Sequence, residues 1–232
     1  DLCPLHHVQH IKMKDHTSGG AYVKDPEYEC SAAWSSLIGN DDLNSAILLS
    51  DLTDRLGMDA NEAGWVMSFA IECYERGILS IGDTDGIEMT WGNTEAVRRM
   101  LVKTACREGI GDLLAEGVKR ASEAIGGKAL EVGVYVDRGH SPRTHDARAR
   151  WGDILDYATG GVGTSESNSV VMEEPFLPKN VALGVARGKV REFVDSLVVC
   201  NIATMSYSGA DIGHLLEALN FSSGWDYSES EA

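Results

Sequence analysis

Asp54-Arg55-Leu56-Gly57-Met58-Asp59 is where one amphipathic helix stops and the next begins. The apolar spacing before it predicts a helix over Asp42 to Leu56, and Gly57 stands where a left-handed C′ cap belongs. Asp59 or Asn61 can then cap a following helix that carries Trp65, Phe69 and Cys73 at four-residue spacing. Such a helix-loop-helix corner collects orphan backbone N–H groups and carboxylates, which together can hold a polar heterocycle by its edge. The hexapeptide alone fits a plain αα-corner better. A second acidic hexapeptide, Asp195-Ser196-Leu197-Val198-Val199-Cys200, echoes it: Asp, two residues, a small or apolar pair, then Asp or Cys.

Helical periodicity extends outward on both sides. The chain is predicted to turn helical from Cys30 to Trp34, and Gly39-Asn40-Asp41-Asp42 breaks that helix and caps the next. Thr94 to Glu108 reads as a helix, and Asp112 to Ile125 as another with Leu114, Val118, Ala121 and Ile125 in one stripe. Val181 to Ala203 and Gly209 to Leu219 read as two more. Leu130 to Val136 is the best strand candidate, while residues 1–29 and 137–180 look irregular. The expected fold is all-α and multihelical in two helical lobes. The boundary between them falls within 125–165, and we assign the lobes to 1–140 and 141–232.

The totals bound the function. With 232 residues and 43% hydrophobic content the chain can bury a real core. A net charge of −16 argues against nucleic acid and anionic membrane surfaces as partners. No apolar run reaches membrane-spanning length and no secretory signal is visible, so a soluble, cytoplasmic protein is expected. Asp1-Leu2-Cys3-Pro4 lacks an initiator Met, and both ends read as cut from a longer protein. The five cysteines are odd in number and scattered, which is not a disulfide framework. Cys73 and Cys106 lie on apolar stripes and are expected to be buried.

Three places can carry chemistry. Cys3 and Cys200 can belong to one iron–sulfur cluster, whose ligands are commonly a tight group plus one distant Cys, or they can be unrelated thiols. In Pro26-Glu27-Tyr28-Glu29-Cys30 a carboxylate stands beside a thiol at a helix start, where the helix N-terminus is expected to lower the thiol pKa. The alternative there is a first-turn charge beside a packed Cys. Arg143-Thr144-His145-Asp146-Ala147-Arg148, followed by the glycine-rich Tyr157-Ala158-Thr159-Gly160-Gly161-Val162-Gly163, is either an anion-binding site or a buried ion network. His145-Asp146 has no nucleophile tied to it.

Taken in order, these pieces resemble the aldehyde ferredoxin oxidoreductase family, tungsten enzymes with a bis-pterin cofactor. Pro26-Glu27-Tyr28-Glu29 resembles the segment with a glutamate beside the metal, and Asp54 to Asp59 the first pterin motif, Asp-x-x-Gly-Leu-Asp, with Met58 for Leu. Trp91-Gly92-Asn93 and Arg107 to Gly117 resemble the central signature; His145 to Arg148 and Tyr157 to Thr159 resemble the Asp-Pro-Arg and Tyr-Ala-Thr segments. Asp195 to Cys200 resembles the second pterin motif, whose final Cys also ligates a [4Fe–4S] cluster.

The resemblance implies the two C-terminal helical domains and a tungsten or molybdenum bis-pterin. It also implies ferredoxin or another electron-carrier protein as partner and a small aldehyde or acyl substrate. A homo-oligomer stays open, and activity is expected to need the N-terminal parts of the longer protein. Cofactor contacts are implied for Asp54, Gly57, Met58, Asp59, Asp195, Val199, Asn201 and Arg148, and cluster ligation for Cys3 and Cys200. Glu29 is implied as general base. Besides Met58, three departures from the family pattern matter. His7 stands at the third place of Cys-x-x-Cys-x-x-x-Cys, where either it is a substitute cluster ligand or the cluster differs; Val198 replaces the second motif's Gly and tightens the space around the second pterin. Glu166 falls where the family has a His near the metal and is a second acid–base candidate. Cys30 leaves an alternative open, as a thiolate ligand to tungsten like that of the class II benzoyl-CoA reductases. A further alternative is a non-catalytic helical domain that has lost its cofactor.

Overall fold

Strong local caps divide this chain into helices. The computed structural model describes residues 9–13, 20, 22–136, 138–145, 148, 151–152, 154–155, 177–182, 196–199 and 212–231. A hairpin comes first, β1 (His10–Lys12) and β2 (Tyr22–Lys24), antiparallel with Ile11 opposite Val23. Then follow α1 (Tyr28–Trp34), a 3₁₀ turn (Ser36–Ile38), α2 (Leu43–Leu56), α3 (Ala60–Glu75) and α4 (Thr94–Cys106). Next come α5 (Ile110–Leu114), α6 (Gly117–Ile125) and α7 (Ala129–Val132); α8 (Ile212–Ser223) lies close to the C-terminal end. One compact unit spans Val8–His145 and a second is built from the remainder. The fold is mostly helical, as expected, and among the described residues strand is confined to the hairpin. No helix in the described residues is long and apolar enough to cross a membrane.

The corner at residues 54–59 is built by its own sequence. Asp42 caps α2 by accepting from the backbone N–H groups of Asn44 and Ser45 at 3.2 and 3.0 Å. Gly57 takes φ 70°, its N–H donates to the Asp54 carbonyl, and the Met58 N–H donates to the Thr53 carbonyl, both at 3.1 Å. Those two bonds make a Schellman end. Asp59 then caps α3, accepting from the Glu62 N–H at 2.7 Å.

The first unit's core gathers around α3. Met67, Ala70, Ile71 and Cys73 are fully buried against Trp34 and Ile38 on one side and Val97, Met100 and Leu101 of α4 on another. Gly64 allows α1 and α3 to touch, since a Cβ there would lie 2.7 Å from the Ala33 Cβ. Burial pushes the Cys73 thiol up to about 11. Cys106, expected inside, is exposed, because it is the last residue of α4 and falls past the buried face that ends at Thr104.

Several expectations change in three dimensions. The strand candidate Leu130 to Val136 is not a strand: its first turn belongs to α7, and residues 133–136 are irregular. The strands lie inside residues 1–29, where Met13 and Val23 form a small separate core with Ile47 of α2. The single helix expected over Asp112 to Ile125 is broken in two, with Gly117 at φ 84° opening α6. The Arg107-to-Gly117 stretch is an architectural corner. Arg107, left-handed at φ 54°, ends α4, and its guanidinium holds Asp112 and Glu116, each at 2.8 Å. Asp85 accepts from the Ile110 N–H at 3.1 Å and pairs with Lys103 at 3.2 Å, and a Cβ on Gly111 would run into the Lys103 carbonyl. Asn93 caps α4 through the Ala96 N–H at 3.1 Å. Most of the expected helix over Val181 to Ala203 lies outside the described residues, as do residues 209–211 of the last one, whose described part runs on to Ser223, four residues past the expected end.

Candidate functional site

Glu29 sits in the first turn of α1. Its Oε1 accepts from the Arg143 guanidinium and bonds the His145 Nε2 at 2.9 Å. Tyr28 lies against the His145 ring at 4.9 Å between centroids, and its hydroxyl donates to the Thr144 carbonyl at 3.4 Å. Both side-chain partners of Glu29 therefore use one oxygen. Burial pushes the Glu29 carboxyl up, but the bond from His145, its own backbone N–H and the Arg143 charge outweigh this and hold it below the usual carboxylate range. Sequence reading named Glu29 but did not join it to Arg143 and His145, which lie 114 and 116 residues away.

The loop that delivers those two residues is clamped by α3. The Glu62 Oε2 accepts from the Ser141 N–H at 2.8 Å and its Oε1 from the Val118 N–H at 3.4 Å. Asn61 Nδ2 and Trp65 Nε1 both donate to the Pro142 carbonyl, at 3.1 and 2.6 Å. The corner at Gly57 sets where α3 starts, and the first turns of α3 set where Arg143 and His145 stand. Asn61 Oδ1 and Thr144 Oγ1 are buried here without a hydrogen-bond partner, which is costly unless a ligand or solvent meets them. Glu62→Gln removes a charged acceptor for two backbone N–H groups and is expected to cost about 1–3 kcal/mol. Faster proteolysis within 138–145 would report the released loop; unchanged cleavage would show that Asn61 and Trp65 suffice.

Asp54 lies in the last turn of α2, and its Oδ2 pairs with the Lys24 Nζ of β2 at 2.9 Å. Gly57, Met58 and Asp59 serve the corner: a left-handed cap, an apolar anchor in the core and the cap of α3. Cys30 is half-buried with its thiol held above the ordinary value, contrary to the expectation of a lowered one. Burial is the main cause; a hydrogen bond with the Ser50 side chain opposes it, and the Asp54 and Glu27 charges add to it. Of the expected metal ligands, Cys30 alone is described, and among the described residues no group of three or more His, Cys, Asp or Glu is placed to hold a metal.

Comparison with known proteins decides the family. The family model for aldehyde ferredoxin oxidoreductase, domains 2 and 3, matches residues 2–232. The chain belongs to the aldehyde ferredoxin oxidoreductase family. A tungsten-containing aldehyde ferredoxin oxidoreductase of Pyrococcus furiosus is 30% identical over 222 residues, 90% of this chain and 36% of its own length. Its counterpart in Pyrococcus horikoshii is 29% identical over 224 residues, with the same coverage. The aliphatic sulfonate oxidoreductase WOR-like subunit of Pyrococcus furiosus is 30% identical over 208 residues, 87% of this chain and 32% of its own length. The chain thus spans about a third of these relatives. Among solved structures, the active-site complex of benzoyl coenzyme A reductase with 1,5-dienoyl-CoA shares the fold. Its TM-score is 0.59 at 22% identity, over 82% of this chain and 27% of that one.

For this family member the second motif is only partly described. Asp195, Cys200 and Asn201 lie outside the described residues, as do Cys3, His7 and Glu166; Arg148 is exposed and Val199 half-buried. Val198 occupies the position that Gly57 holds in the first hexapeptide, and it too is left-handed, at φ 57°. Its side chain is 92% exposed, so no packing offsets the strain of a β-branched residue there. Relief of about 1–2 kcal/mol of left-handed strain, less about 0.5–1 for glycine's added unfolded-state freedom, leaves Val198→Gly stabilising by roughly 0.5–1 kcal/mol. A denaturant midpoint at or below wild type would refute this.

Proposed function

We propose that this chain is the catalytic helical part of a tungsten (or molybdenum) bis-pterin oxidoreductase. It oxidises an aldehyde to a carboxylic acid and passes electrons through a [4Fe–4S] cluster to ferredoxin or another carrier. The supporting observation is Glu29, ionised and held on one oxygen by Arg143 and His145, so that Oε2 is left for reacting atoms. Of the described residues, Asp54 suits a pterin: it is an acceptor-only carboxylate on an exposed corner. Asp54 and Asp195 would take the N–H edges of the two pterins, and Cys3, Cys200 and His7 would hold the cluster. Glu166 would donate a proton.

When bound, the metal–pterin centre supplies the electron-accepting chemistry. The overall balance is aldehyde plus water to carboxylic acid, two electrons and two protons. Glu29 Oε2 takes a proton from the water that adds to the carbonyl carbon, while Oε1 stays with Arg143 and His145. The relatives' named substrates include aldehydes and aliphatic sulfonates, so both classes belong in the assay.

A second reading makes Cys30 a metal ligand in a reductase-like enzyme. It is favoured by the adjacency of Cys30 to Glu29. The raised thiol pKa weighs against it, since a metal would have to displace the proton. Tungsten, molybdenum, iron and pterin analysis of the full-length protein, with aldehyde-dependent reduction of ferredoxin, is the test. Absence of metal and pterin would leave a non-catalytic domain. Cys30→Ser with unchanged metal spectra and activity would retain the aldehyde-oxidising reading; altered spectra would favour the reductase-like one.

A further inference from the structure

The ion pair between Lys24 and Asp54 has a feature its surroundings explain. Arg55, next to Asp54, is turned back along α2 to Asp51 at 2.6 Å, one turn away. The cation that meets Asp54 comes instead from β2, at 2.9 Å. The hairpin that brings it is docked on α2 through Met13, Val23 and Ile47, with Ile11 and Leu48 around them. Alternation along the strand buries Val23 at 3% exposure and leaves Lys24 on the other face. The hairpin's apolar face therefore fixes the register that presents Lys24 to the motif carboxylate.

We infer that Lys24 is a positioning residue of the first pterin site: it holds Oδ2 of Asp54 so that Oδ1 faces the pterin N–H edge. This rests on the pterin reading of Asp54. A carboxylate swinging about its χ2 bond presents either oxygen, whereas one anchored by an ammonium presents a fixed acceptor, as outer partners of ligating groups do elsewhere. Stability alone does not account for the pair, because its members are 41% and 34% exposed and such ion pairs contribute little to folding. The arrangement makes the hairpin, outside the helical bundle, a working part of the cofactor site.

The test uses the full-length protein and reads pterin per chain after gel filtration, with the thermal unfolding midpoint measured on the same samples. Lys24→Met is expected to lower pterin retention about tenfold, the lower end of what loss of an outer partner costs. Lys24→Arg, which keeps a cation of similar reach, is expected to restore most of it, and the midpoint should stay near wild type in both. Asp54→Asn is run in parallel. Full pterin in Lys24→Met with loss in Asp54→Asn would overturn the role of Lys24 while keeping the pterin reading. Full pterin in Asp54→Asn would remove that reading and the inference with it. Pterin loss in both Lys24 variants with a lowered midpoint would mark a folding defect and also overturn the inference.

Discussion

Glu29→Gln in the full-length protein is expected to lower kcat for aldehyde oxidation by roughly 10²–10⁴-fold, the usual worth of a positioned general base. The amide keeps the size of the side chain, and its carbonyl oxygen can still accept from Arg143 and His145, the contacts that orient Glu29. What disappears is the basic oxygen. Metal and pterin content should therefore match wild type, which separates a lost proton acceptor from a lost cofactor. The Arg143 guanidinium loses the Glu29 charge, so a modest fall in the unfolding midpoint is expected alongside the kinetic effect. Wild-type kcat in this variant would remove Glu29 from the reaction. A drop that follows pterin content would mean that Glu29 helps to retain the cofactor instead.

Gly64→Ala should cost both stability and rate, because the added methyl group meets α1. A Cβ at that position would lie 2.7 Å from the Ala33 Cβ, 3.1 Å from its Cα and 3.2 Å from a Leu37 methyl. Two of these atoms belong to α1 itself, so the backbone must move. Alanine's better helix propensity recovers up to about 1 kcal/mol. Overpacking of this kind typically costs about 1–3 kcal/mol, so a net loss is expected. The functional effect should be larger than the loss of stability. α1 carries Glu29 and Tyr28, and displacing it by an ångström moves the carboxylate relative to Arg143 and His145. Misplacement on that scale can cost about 10²-fold in rate. Thermal unfolding and kcat measured on one preparation check both parts. A variant that loses stability while keeping kcat would show that α1 tilts without moving Glu29.

The helix ends were legible in the sequence because their causes are local. Asp42, Gly57 and Asp59 each act within one turn, and each caps the helix expected of it. The echo between the two hexapeptides was legible for the same reason, and it extends to backbone conformation, with Gly57 and Val198 both left-handed. Hydrophobic periodicity misread the stretch from Asp112 to Ile125, because the stripe continues in register across a break at Gly117, which has positive φ and packs on the distant Glu62. It also placed a strand at Leu130 and overlooked the real hairpin, whose three-residue strands are too short to show alternation and depend on Ile47 for a core.

The candidate site divides along the same line. Sequence alone identified Glu29 and Asp54 as residues of interest and determined the helices that carry them, since both rest on short-range pattern. Only the tertiary structure decided what those carboxylates face: Arg143 and His145 for one, Lys24 for the other. It also decided that Cys30 is half-buried, with burial raising its thiol pKa. Charge partners and burial are properties of space around an atom, and here that space is filled by segments up to 116 residues away, brought in by the grip of α3 on the loop that carries them.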